Sequence, residues 1–159
     1  MDFIIREAIV DDMPQVLSLI EELAIFEKEP NAVEVTVDDL IKEGFGKEPL
    51  FHCFVAGTKE GIVGLALIYY RFSTWKGRTI HLEDLIVRES MRGKGIGLAL
   101  YTRVMLYGKE KGVKRIEWNV LDWNKPAVDF YLKSGAKILE GWQVVQMNDK
   151  GLNAFIAAM

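Results

Sequence analysis

Three glycines, Gly93, Gly95 and Gly97, stand at alternate positions between a β-like run and an apolar helical run in "RGKGIGLALY". Glycine costs a helix about 1 kcal/mol relative to alanine, so the triplet is poor helix material. It suits a sharp backbone turn that lets main chain come close to something else. A helix start offers unpaired N–H groups and a positive dipole end, and Arg92 and Lys94 add cations, so a phosphate fits. A plain glycine-rich turn is the competing reading. The pattern G-x-x-x-x-G-K-[ST] is absent, which excludes a P-loop NTPase. The stretch also lacks G-x-G-x-x-G, and the strand before it follows an antiparallel hairpin instead of opening a βαβ unit.

Around that turn the patterning predicts a strand over residues 3–8 and a helix over 12–27. Asp11 or Asp12 can cap that helix, Pro14 suits its first turn, and Val16, Leu19, Ile20, Leu23 and Phe26 form its apolar stripe. "TVDD" reads as a capping box for a helix from Thr36 that stops at Gly44 or Gly46. Strands follow over 51–56, 62–72 and 78–87. After the glycines come a helix to about Lys111, a strand over 115–120, a helix over 125–134 and short C-terminal strands. Strands in a block, then strand–helix alternation, predict an α/β fold: a mixed central sheet with helices on both faces.

The chain has 159 residues, half of them hydrophobic, and a net charge of −3. That fits one soluble domain over 1–159 and argues against a nucleic-acid binder, which shows a basic face. The N-terminus lacks a signal-peptide pattern, and the longest apolar run, "IVGLALIYY", is too short to span a bilayer. One cysteine, Cys53, cannot form an internal disulfide, so a reducing, cytoplasmic setting is expected. His52 and Cys53 are too sparse for zinc, and no metal is expected.

Two acids interrupt the strand "TIHLEDLIV". Ile80 and Leu82, then Leu85 and Val87, change parity across Glu83 and Asp84, as one extra residue in a β-bulge would make them do. Because Ile86 is also apolar, a strand buried on both faces is the alternative. A carboxylate facing a helix-covered sheet needs a partner, which is either a structural salt bridge or a functional role. In "VLDWNKPAVDFYLKSGA", Asn124 is a natural N-cap, Pro126 lies in the first helical turn and Gly135 is the residue after the C-cap. Tyr131 on this helix reads either as a core aromatic or as a functional phenol.

R-x-x-G-x-G at Arg92–Gly97 and N-x-x-A-x-x-F-Y-x-x-x-G-A from Asn124 resemble the two signatures of the GNAT acetyltransferase superfamily. "ELAIFEKEP", "GFGKEPLFHCFVA", "FSTWKGRTIHLEDLIV", "VLDWN" and "EGW" further resemble the diamine acetyltransferase family, nearest to its thialysine N-ε-acetyltransferase branch. The resemblance implies acetyl transfer from acetyl-coenzyme A to a primary amine of a small cationic molecule, by a homodimer. Glu83 matches the acid that activates the amine, and Tyr131 the residue that protonates the departing thiolate. Leu85, Ile86 and Val87 match the strand along the acetyl and pantetheine arm. Arg92, Gly93, Lys94, Gly95, Ile96, Gly97 and Leu98 match the pyrophosphate loop, and Asn124, Lys125, Pro126 and Ala127 a further coenzyme contact. Phe26 and Glu27 match a substrate-binding pair, joined by Glu83 and Asp84 as carboxylates for an ammonium group. Phe26 stands where polyamine enzymes carry tyrosine, and His81 where the family usually has a phenol. A non-catalytic coenzyme A sensor and a protein or peptide N-acetyltransferase are the rival readings.

Overall fold

Apolar residues alternating between two faces build a five-stranded sheet covered by helices on both sides, as the sequence predicts. The computed structural model describes residues 2–159, which divide at Asn119/Val120 into two compact units. In the first, β1 (Ile4–Glu7), β2 (His52–Thr58), β3 (Gly61–Ser73) and β4 (Gly77–Val87) run antiparallel in chain order. β5 (Ile116–Glu117) joins β4 in parallel. Helices α1 (Met13–Phe26) and α2 (Val37–Phe45) lie between β1 and β2 in sequence, and α3 (Ile96–Glu110) between β4 and β5.

Each face has its own core. Phe54, Ala66, Ile68, Ile80 and Leu82 pack with Ile96, Leu100 and Val104 of α3. Val55, Leu65, Leu67 and Ile86 pack with Met13, Val16 and Leu19 of α1 and with Leu40 of α2. Burying one such side chain fully contributes about 1.5–3 kcal/mol. Gly64 lets α3 sit close to the sheet. A Cβ there would lie 2.9 Å from the Ile86 carbonyl oxygen and 3.1 Å from a Leu100 methyl.

Local signals explain most boundaries. Thr36 accepts from the Asp39 N–H at 3.2 Å, and the Asp39 carboxylate accepts from the Thr36 N–H at 2.9 Å, which closes the anticipated capping box of α2. α2 ends at Phe45, with Gly46 as its C-cap. Asp12 occupies the N-cap position of α1, but its side chain does not cap the helix. Its carboxylate instead takes two hydrogen bonds from Arg6, at 2.6 and 2.9 Å, and one from the Ile9 N–H at 2.9 Å. The bond from the Arg6 guanidinium holds the buried Asp12 carboxyl below its ordinary pKa.

The second unit contains α4 (Lys125–Lys133) and α5 (Asp149–Ala157). α4 ends in a Schellman motif: Gly135 takes φ 93°, and the Ala136 N–H donates to the Tyr131 carbonyl at 3.2 Å. The short C-terminal strands expected from the sequence are absent among the described residues. "WQVVQM" has β-like composition, but a strand also requires a partner for its N–H and C=O groups. The next residues carry a helix signal instead, with the Asn148 side chain accepting from the Gly151 N–H at 2.8 Å to start α5. The strand expected over 115–120 shrinks to β5, whose ladder with β4 joins only Ile80 to Ile116 and His81 to Glu117. Among the described residues, no helix is long and apolar enough to cross a membrane.

Candidate active site

The register between β3 and β4 decides where the acids of β4 point. Leu67 pairs with Asp84 and Ile68 with Leu82, which leaves Glu83 as the extra residue of a β-bulge. The parity change read from the sequence is therefore a bulge. Ile80, Leu82, Leu85 and Val87 all pack on the α3 side, whereas Ile86 packs on the α1–α2 side. Because β5 pairs only with Ile80 and His81, residues 82–87 form an open edge of this unit's sheet. A bulge bends its strand, which accounts for the early end of that ladder.

The α1–α2 face carries a cavity of about 550 Å³ lined by Glu27, Glu34, Asp39, Glu43, Glu83 and Asp84. Leu23, Leu50, Phe51 and Leu67 supply apolar wall, and among the described residues no Lys, Arg or His lines the cavity. Carboxylates crowded in a half-apolar pocket resist ionisation. Burial, reinforced by the charges of Glu83 and Glu27, pushes Asp84 up to about 6. Burial also raises the pKa of Glu27. This arrangement can hold an ammonium group, which would relieve the crowding of like charge. Glu27, Glu83 and Asp84, anticipated as substrate residues, are brought together here. The sequence carries no signal for Glu34, Asp39 and Glu43 in this role: Asp39 reads as part of the capping box, and Glu34 and Glu43 reach the cavity only through the placement of α2 and the residues before it. Asp39 remains committed to capping, and its hydrogen bonds with Thr36 keep its pKa low.

Phe26 is placed differently from its anticipated partner Glu27. It lies outside the cavity lining, with the Arg92 guanidinium 5.0 Å above its ring. A residue expected to contact substrate therefore stacks with one from the glycine loop.

In that loop, Gly93 and Gly95 take φ 75° and 81°, the left-handed region that favours glycine. A Cβ at either position would meet nothing within 4 Å. Their requirement is thus backbone shape and an open approach, not a tight neighbour. Gly95 is the N-cap of α3, no side chain caps that helix, and its first turn, with Ile96, Gly97 and Leu98, holds no acid. Arg92 is anchored by donating to the Val87 carbonyl at 3.1 Å, and the Lys94 amine lies 3.4 Å from the Ser90 carbonyl. Unused N–H groups, a positive dipole end and two cations form a cradle for an anion.

In the second unit, Asn124 is the N-cap of α4, although its side chain makes no capping bond, and Pro126 lies in the first turn. Lys125 pairs with Asp129 at 3.3 Å. Ala127 follows in the same turn, and Tyr131 stands near the other end of α4 with its ring 5.5 Å from that of Phe130.

Comparison with known proteins points the same way. The "Acetyltransferase (GNAT) family" model matches residues 15–136. Thialysine N-ε-acetyltransferase of Bos taurus is 40% identical, over 93% of this chain and 94% of its own. The Caenorhabditis elegans protein of that name is 37% identical over 91% of both chains. An integron cassette protein from the mobile metagenome of V. cholerae shares the fold, with a TM-score of 0.80, 22% identity and 98% of each chain covered. With its glycine turn ahead of α3 and 122 consecutive residues inside the family model, this chain belongs to the GNAT family of N-acetyltransferases.

Proposed function

We propose that this chain transfers the acetyl group of acetyl-coenzyme A to the primary amine of a small cationic substrate, a lysine-like amino acid or a diamine. The observation that carries the reading is the cavity walled by six carboxylates and no cation. The relatives named for thialysine acetylation support the substrate class. The loop from Arg92 to Leu98 fits the coenzyme's pyrophosphate, since Gly93 and Gly95 leave the approach open and the start of α3 is uncapped. The open edge of β4 at Leu85, Ile86 and Val87 offers backbone groups to the acyl and pantetheine arm. Asn124, Lys125, Pro126 and Ala127 are assigned a further coenzyme contact by family resemblance.

A primary amine has a pKa near 10.4 and arrives as the ammonium, which is not nucleophilic. Glu27 and Asp84 hold that cation in the cavity, with Phe26 beside Glu27 at the end of α1. Glu83 takes the proton, directly or through water, as the nitrogen attacks. When bound, acetyl-coenzyme A supplies an activated acyl thioester. Tyr131 donates its phenolic proton to the leaving sulfur. A thiol pKa near 8.5 makes that help modest.

One domain spans both units on this reading, in keeping with a family match that crosses Asn119/Val120. The single cysteine suits a cytoplasmic enzyme. The protein acts as a homodimer, for which the exposed apolar Trp142, Val144 and Val145 offer contact surface. Sedimentation at micromolar concentration checks this, and a monomer removes it. The activity itself is tested by screening small amines with acetyl-coenzyme A and reading released thiol. Turnover with lysine-like amines is expected. Tight coenzyme binding with no amine accepted would favour a sensor instead.

A further inference from the structure

The bulged Glu83 has a buried neighbour that the proposed reaction leaves without a role. His81 is 8% exposed, and its Nε2 stands 3.4 Å from Glu83 Oε2. Its Nδ1 lies 3.4 Å from Arg71 Nη1, and Arg71 is paired with Glu117 at 2.5 Å. Arg115 holds Glu117 from the other side at 3.2 Å. The Tyr69 ring tilts against the imidazole at 5.1 Å between centroids. These are the charged and titratable groups facing His81: Tyr69 and Arg71 from β3, Glu83 from its own strand, and Glu117 from β5.

A guanidinium has donors only. The ring nitrogen that meets Arg71 must therefore accept, so the single proton of a neutral imidazole sits on Nε2, facing Glu83. Burial, and then the Arg71 charge, hold His81 below its ordinary pKa against the opposing pull of Glu83 and Glu117. A neutral donor restrains a carboxylate without removing its charge. The Tyr69 hydroxyl hydrogen-bonds the same carboxylate, and His81 adds a second restraint to a side chain that is half exposed and has three rotatable bonds.

We propose that His81 is a positioning residue for amine activation: Glu117 and Arg71 lock it as the Nε2–H tautomer, and that N–H holds the Glu83 carboxylate in its place on the cavity wall. The inference rests on the reading of Glu83 as the group that takes the amine's proton. It adds a residue on which composition and the glycine and tyrosine signatures are silent.

Nitrogen NMR of ¹⁵N-histidine-labelled protein reads the tautomer without any turnover. His81 is expected as Nε2–H in the wild type, with its signal identified by loss in His81→Phe. In Arg71→Met the single tautomer is expected to relax into a mixture. A wild-type Nδ1–H tautomer overturns the proposal. In steady-state kinetics, His81→Phe is expected to lower kcat about 10–100-fold, with both KM values within about twofold. His81→Gln, whose amide N–H can take the place of Nε2–H, should recover most of that loss. Equal defects in the Phe and Gln variants, or unchanged kcat in both, overturn the positioning role. Glu83→Gln run alongside separates the two failures. If it keeps wild-type turnover, the proton-acceptor reading falls and this proposal with it; if it is inactive while His81→Phe is not impaired, positioning alone falls.

Discussion

The acidic cavity and the glycine loop lie at opposite ends of one short path along β4, yet they are built from different material. The cavity is made of side chains: carboxylates from the end of α1, from α2 and the residues before it, and from the bulge, where burial and then the charges of Glu83 and Glu27 raise the pKa of Asp84. The loop is made of main chain: two left-handed glycines and an uncapped helix start. A side-chain site is damaged by deleting atoms, and its unmet charge destabilises the fold that carries it. A backbone site is damaged by adding atoms, and it places no buried charge in the protein. The two halves of the proposed reaction should therefore break under opposite kinds of substitution.

The largest effect is expected from Glu83→Gln. On the best amine substrate, kcat/KM at pH 7 should fall about 10²–10⁴-fold, with coenzyme affinity unchanged by calorimetry. Part of the loss should return at high pH, where more amine arrives already deprotonated. A variant equally active at all pH values would dissolve the distinction between the two regions.

Gly95→Val is the converse test. It places a β-branched side chain at φ 81° in the open approach to α3, a strain of about 1–3 kcal/mol. Coenzyme affinity should fall about tenfold or more, while the amine response of the remaining activity is kept. Gly95→Asn sharpens the cause, since asparagine tolerates the left-handed region better. If Asn weakens binding as much as Val does, blocked approach outweighs strain.

Asp84→Asn probes what the cavity does to the fold. Burial, with the charges of Glu83 and Glu27, raises the Asp84 carboxyl from its ordinary 3.8 to about 6 in the folded protein. Its protonated form therefore contributes stability that is fully present below about pH 4 and is lost as pH rises through 6. The amide variant should match the wild type at pH 3.5 and be about 1–2 kcal/mol more stable at pH 7.5 in urea unfolding. Amine KM should rise at the same time. Equal stability at both pH values would mean that Asp84 is not under the charge pressure its surroundings imply. Tyr131→Phe closes the order with a fall in kcat of only about 2–10-fold and no change in coenzyme affinity.

What was legible in the sequence follows the same division. Backbone features announce themselves locally: the capping box at Thr36, the glycine turn and the parity break at Glu83 each reside in a few neighbouring residues. The parity break left a bulge and a strand buried on both faces both open, and the register against β3 decided between them. Features assembled across elements were hidden. Glu34 and Glu43 meet Glu83 only when α2 folds over the sheet. Arg71, His81 and Glu117 come from three strands, aligned by the pairing of His81 with both Tyr69 and Glu117. The C-terminal strands failed for a related reason. Residue composition reports β propensity, but strand formation depends on a partner that no local pattern supplies. Asp12 shows a subtler limit, since an acid at an N-cap position reads as a cap until Arg6 claims it.

Cys53, buried at 5% exposure on β2, has a practical consequence for measuring any of this. Burial, with the charges of Asp84 and Asp12, pushes its thiol up to about 12. Only about one molecule in 10⁵ then carries the thiolate at neutral pH, and it is the thiolate that attacks alkylating and disulfide reagents. The coenzyme product of the proposed reaction is itself a free thiol in water. A chromogenic disulfide added to the reaction would thus report the product against a silent protein background. The same inertness keeps Cys53 from exchanging into the disulfide that the reagent forms with the released thiol.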